Sequence, residues 1–86
     1  MKVRIPSPLV SYTGGAKEVE ARGATLGEVL DDLNRLYPGF RFRVVDEQDK
    51  LRPHVRFFVN GEQVFGIDRA LAVGDDVTLV QALSGG

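Results

Sequence analysis

Lys2-Val3-Arg4-Ile5 alternates charged and β-branched residues, the period-two pattern of a strand with one buried face, so Val3 and Ile5 are expected to point inward. Pro6 and Pro8 carry no amide hydrogen, which predicts an irregular stretch or a sheet edge before the turn Tyr12-Thr13-Gly14-Gly15. From Lys17 to Arg22, Val19 and Ala21 alternate with Glu18, Glu20 and Arg22, as in the return strand of a hairpin, and Gly23 ends it. Thr25 with Glu28 three residues later forms a capping box, which predicts a helix from Leu26. Leu26, Val29, Leu30, Leu33, Leu36 and Tyr37 recur at helical spacing, making one apolar stripe opposite Glu28, Asp31, Asp32 and Arg35. Pro38-Gly39 stops that helix.

Phe40 to Val45 reads either as a short strand or as an extended connection, and Asp46-Glu47-Gln48-Asp49-Lys50 as a solvated loop. His54 to Val59 and Glu62 to Phe65 flank Asn60-Gly61, the strongest short hairpin signal, so two antiparallel strands are expected there. Gly74-Asp75 marks another turn, and Val77 to Ala82 a last strand. One amphipathic helix covers only one face of a sheet. The order strand, strand, helix, strand pair, strand therefore predicts a two-layer α+β fold, a ubiquitin-like β-grasp with a mixed four- to five-stranded sheet and one main helix across one face.

At 86 residues the chain is one small domain. Eleven Lys and Arg against twelve Asp and Glu, interspersed, disfavour a nucleic-acid partner. The absence of cysteine removes thiol nucleophiles, zinc–thiolate clusters and disulfides from within the chain. Met1 to Pro6 lacks the apolar core of a signal peptide, and no apolar run approaches the roughly 20 residues of a membrane span, so a soluble, cytoplasmic protein without a membrane partner is expected. His54 is the only histidine, and its alternation with Arg56 and Phe58 marks a surface position on a strand. Asp31-Asp32 and Asp75-Asp76 are adjacent pairs whose side chains diverge. Asp46, Glu47 and Asp49 lack the glycine and ligand spacing of a calcium loop, and no metal site is expected. Gly14-Gly15-Ala16-Lys17 lacks both the preceding glycine and the following Ser or Thr of a phosphate loop.

The remaining feature is Ala82-Leu83-Ser84-Gly85-Gly86, directly after a strand. One reading is a frayed end, since termini tolerate small residues. The other divides the chain into a folded unit, residues 1–82, and a flexible tail, residues 83–86, that carries the Gly86 carboxylate into a partner's active site. Four extended residues reach about 13 Å, and Gly85 and Gly86 present no Cβ to a narrow channel. A carboxylate is a poor electrophile, so it would need activation, as an acyl-adenylate made from ATP by a separate enzyme; nothing in this chain reads as a nucleotide or cofactor site.

The helix capped by Thr25, the Val59-Asn60-Gly61 turn, the approach Leu71…Gly74-Asp75-Asp76-Val77 and the terminal Gly85-Gly86 together resemble the ubiquitin-like sulfur carriers related to the molybdopterin synthase small subunit and the thiamine-synthesis sulfur carrier. Ile5-Pro6 and Tyr12-Thr13-Gly14-Gly15 are most similar to the branch that carries sulfur for cysteine synthesis. The resemblance implies a protein co-substrate and not an enzyme. An adenylating, E1-like enzyme would activate Gly86, and a persulfide would convert it to a thiocarboxylate. In the cysteine branch the sulfur passes to an aminoacrylate on a pyridoxal-phosphate cysteine synthase and a metalloprotease releases the adduct. In the molybdopterin branch the tail enters the synthase large subunit. A ubiquitin-like modifier joined to lysines, and a non-covalent β-grasp interaction domain, are the alternatives.

If Val55, Phe57 and Val59 face the helix, Arg56 and Phe58 face outward, and Val77 and Leu79 inward leave Thr78, Val80 and Ala82 outward. Phe58 and Val80, with Arg56, Ala82, Leu83 and Ser84, are thus the candidate partner-binding residues. The alternative is that Phe58 packs under the Phe40–Lys50 segment.

Overall fold

A computed structural model describes residues 1–82. Among them five strands form one sheet in the order β2-β1-β5-β3-β4, with β1 Lys2–Arg4, β2 Glu18–Glu20, β3 Val55–Val59, β4 Glu62–Val64 and β5 Asp76–Gln81. β1 and β5 run parallel, and every other pairing is antiparallel, so the sheet is mixed as expected. Helix α1, Leu26–Leu36, crosses one face and α2, Phe40–Val44, packs beside it. Against these elements the strands bury the residues that alternation assigned inward: Val3, Val19, Val55, Phe57, Val59, Val77 and Leu79 join Leu26, Val29, Leu30 and Leu33 in one core. Each such side chain contributes about 1.5–3 kcal/mol relative to leaving it in water.

Of the expected α1 stripe only Leu36 departs, 43% exposed at the end of the helix, while Tyr37 packs against the edge of the core. Half of the capping box is built as read: the Thr25 hydroxyl accepts from Glu28 N at 3.2 Å, but Glu28 Oε1 accepts from Ala24 N, one residue before the cap. The segment after β4 completes the cap. Ile67 and Arg69 offer carbonyls to Gly27 N and Leu26 N at 2.7 and 3.0 Å, so the first-turn amides are satisfied by a strap that lies across the helix start.

Two stretches differ from expectation. Residues after Pro6 are a 3-10 helix, Ser7–Thr13, that buries Leu9 and Thr13. Proline fits there because the first turn of a helix has no use for its missing amide hydrogen. Phe40–Val44 is a helix and not a strand or extended link. Its alternating Phe and Arg suggest period two, but Phe40 and Val44 are also four apart, and both are fully buried. Gly39 turns the chain at φ 93°, and Asn34 Oδ1 accepts from the amides of Gly39 and Arg41 at 3.1 and 3.2 Å. Among the described residues, no helix is long and apolar enough to cross a membrane.

Candidate functional site

β5 positions the site. It is an inner strand, bonded to β1 on one side and β3 on the other, and its buried Val77 and Leu79 anchor it on the core. It outruns β1, whose last residue, Arg4, pairs with Thr78, while β3 follows it to Val55 opposite Gln81. A final rung, Ala82 N donating to His54 O at 2.9 Å, carries the ladder past the end of the strand. Leu83, Ser84, Gly85 and Gly86, the proposed tail, lie outside the described residues.

The outward residues of β3 and β5 come together as neighbours. Arg56 pairs with Val80 and Phe58 with Thr78, so Arg56, Phe58 and Val80 share the face away from α1, with the exposed Ala82 one step further along. Val80 is 43% exposed and Phe58 is half-buried, which makes the apolar patch small. Phe58 lies between Gln63 and Thr78 on the sheet, while the Phe40–Lys50 segment buries Phe40, Val44 and Val45 in the core with Phe57. Arg56 is held by its own strand start, donating from Nη1 to the carbonyls of Pro53 and Val55 at 2.6 and 3.1 Å.

Sequence reasoning missed the other side of the same strand end. Phe42, Arg43, Arg52 and His54 surround Gln81 in a shallow notch. The Arg52 guanidinium stacks 4.5 Å from the centre of the Phe42 ring, and its Nε donates to Phe42 O at 2.7 Å. Arg43 lies over the Tyr12 ring at 5.7 Å. These residues come from α2 and the approach to β3, and only the helical form of 40–44 brings them to β5, so a strand reading of that segment hides them.

Among the described residues, the carboxyls with displaced acidity serve structure. Three aspartates are displaced below the usual carboxylate range, each by donors that fix structure: Asp32 by the Arg35 side chain and then the Arg22 amide, Asp46 by the amides of Lys50 and Gln48, and Asp75 by the Ala72 amide and then Asn60. Among the described residues, no group of three His, Cys, Asp or Glu side chains is placed to hold a metal ion. What this end of the molecule offers is a surface around the end of β5.

Known proteins share this arrangement. The sulfur carrier protein CysO of Mycobacterium tuberculosis is 43% identical over 89 residues, covering 98% of this chain and 96% of that protein. Its crystal structure matches with a TM-score of 0.90 at 41% identity, over 95% of this chain and 98% of that one. The crystal structure of the BexX/CysO complex of Amycolatopsis orientalis matches with a TM-score of 0.91 at 39% identity, over 99% and 98% of the two chains. Small archaeal modifier protein 3 of Haloferax volcanii is 36% identical over 66 residues, 73% of this chain and 71% of that protein. The ThiS family model matches residues 3–86. With a mixed sheet gripping its last strand on both sides and that match running nearly end to end, the chain belongs to the ThiS family of ubiquitin-like β-grasp proteins.

Proposed function

We propose that this chain is a sulfur carrier protein whose Gly86 carboxyl is adenylated by an E1-like enzyme and converted to a thiocarboxylate that donates sulfur in biosynthesis. The observation that carries this reading is the course of β5, an inner strand that delivers the chain outward at Ala82, four residues before Gly86. The family match running to residue 86 supports it. Proteins of this type are small carriers and not catalysts. Residues 1–82 then serve as the body a partner grips, and residues 83–86 as the part that enters its active site.

The chemistry asks little of the carrier beyond access. ATP held by the activating enzyme converts the carboxylate to an acyl-adenylate with release of pyrophosphate. A persulfide sulfur attacks the carbonyl and AMP leaves; a thiol reduces the resulting acyl disulfide to the thiocarboxylate. Gly85 and Gly86 present no side chain to that attack, and Leu83 and Ser84 are the tail residues a partner would contact before them. Arg56, Phe58, Val80 and Ala82 supply the docking face beside it. In this reading the chain binds no cofactor of its own.

Cysteine synthesis is the favoured destination, supported by the 43% identity with CysO. Its partners are then a pyridoxal-phosphate cysteine synthase and a metalloprotease. The complex of the Amycolatopsis relative with BexX supports a carrier that works while held by another protein. A second reading, a modifier joined to lysines through Gly86, is favoured by the likeness to the Haloferax modifier protein. Both begin with adenylation and diverge at the acceptor.

The test is intact mass after incubation with ATP, sulfide and the host's adenylating enzyme. The expected result is a gain matching replacement of one oxygen by sulfur, abolished when Gly86 is removed. An unchanged mass with a demonstrably active enzyme would sink the carrier reading. A ladder of conjugated proteins with no free thiocarboxylate would move the assignment to the modifier.

A further inference from the structure

The charges that alternate along the sequence are sorted by the fold. Lys2, Arg4, Arg35, Arg41 and Arg69 are each ion-paired with a carboxylate of this chain. Arg43, Arg52 and Arg56 have no such partner among the described residues, and all three sit around the end of β5. The other unpaired cations, Lys17, Arg22 and Lys50, are dispersed through the β2 flanks and the 46–50 loop. At the other end of β5 lie Asp75, just before the strand, and Asp76, its first residue, which is paired with Arg4, so the unpaired arginines gather at one end only.

The notch is also built in advance. Stacking on Phe42 and the bond from Nε to Phe42 O fix the plane of the Arg52 guanidinium, leaving its two terminal nitrogens without an acceptor among the described residues. A fixed, planar fork of this kind matches a carboxylate and loses little freedom on binding it. The Phe42 ring that holds it is 57% exposed and supplies apolar contact at the same place. Asp46 lies within electrostatic range of Arg52, but its carboxylate is occupied by the amides of Gln48 and Lys50 at 2.8 and 3.0 Å. Gln81 lines the notch and His54 accepts the last rung from Ala82, so whatever occupies it lies against the root of the tail.

We propose that the notch formed by Phe42, Arg43, Arg52 and His54 is a docking point for an acidic segment, Asp or Glu side chains, on the enzyme that adenylates Gly86. This rests on the carrier reading above and adds to it the chemistry of the partner's surface. The occupant is a short acidic stretch and not a nucleic acid, because only three unpaired arginines cluster here and the rest of the chain carries more carboxylates than cations. Its role is orientation: it holds the body while the tail enters, and it accelerates encounter through opposite charge.

The experiment measures AMP formation by the host's purified adenylating enzyme, with ATP and sulfide both present, against concentration of the carrier, for wild type, Arg52→Glu and Arg43→Glu, across a series of NaCl concentrations. The expected result is a KM raised about tenfold by either reversal with kcat changed by less than about twofold, and a wild-type KM that climbs with salt more steeply than the variants'. The Arg43 side chain makes no hydrogen bond among the described residues and only lies over Tyr12, so Arg43→Glu carries the test should Arg52→Glu fail to fold, as thermal unfolding will report. KM values within twofold of wild type with the same salt dependence would overturn the proposal. A raised kcat with KM unchanged would also overturn it, by pointing to the chain's own carboxylate as the occupant. Failure of the carrier reading is distinct: the wild-type protein then yields no AMP and no thiocarboxylate at any salt.

Discussion

Asn60 does two jobs at one position. Its φ of 52°, followed by Gly61 at 85°, makes the left-handed pair that turns β3 into β4. Its side chain then reaches the start of β5, accepting from Asp76 N at 2.9 Å and donating to Asp75 Oδ1 at 3.0 Å. Asp75 in turn accepts from Ala72 N at 2.8 Å, and these donors hold its carboxyl below the usual range. A carboxylate with a lowered folded pKa contributes stability that is fully present above its unfolded pKa and is lost as pH falls through the folded value. Thermal unfolding is therefore expected to weaken from the ordinary aspartate range downward, and Asp75→Asn to flatten that decline while lowering stability at neutral pH. A variant with the same acid slope as wild type would remove Asp75 from the account. The turn was legible in the Asn-Gly pair. The link to Asp75 and Asp76 was not, because those partners lie a whole loop away in sequence.

At the scale of elements, α1 shows how a legible start can have a hidden requirement. Thr25 and Glu28 announced the cap, and the buried stripe follows from spacing alone. The role of Gly23 did not follow. A Cβ there would lie 2.6 Å from Val29 N and 2.8 Å from the backbone carbon of Glu28, so the link from β2 touches the helix backbone directly. Gly23→Ala is expected to cost about 1–3 kcal/mol, read as a lowered urea midpoint with unchanged slope, because backbone on both sides must move. A midpoint equal to wild type would mean that the link shifts freely. α2 was misread for a different reason: five residues fit both a two-residue and a four-residue period, and only burial of Phe40 and Val44 together decides between them. That decision matters beyond α2, since it puts Phe42 and Arg43 beside Gln81.

At the scale of the whole molecule, the sheet separates a helix-covered face from an open one and sends one strand out between two kinds of surface. The open face is a proposed docking surface centred on Val80, whose side chain supports no core contact that its loss would collapse. Val80→Ser is expected to change stability by less than about 1 kcal/mol and to raise the KM for adenylation about fivefold; an unchanged KM would take the open face out of the interface. The open face was readable from alternation along β3 and β5. The notch was not, because Arg43, Arg52 and Gln81 are far apart in sequence and meet only through the fold.

The central place of β5 has a mechanical consequence. Its hydrogen bonds to β1 and β3 run across the strand, so tension applied along it loads the rungs on both sides together in shear instead of peeling them one at a time. Under the proposed function, a partner drawing residues 83–86 into a tight channel would haul on the stiffest direction of the sheet. The carrier can be towed by its end without being unravelled.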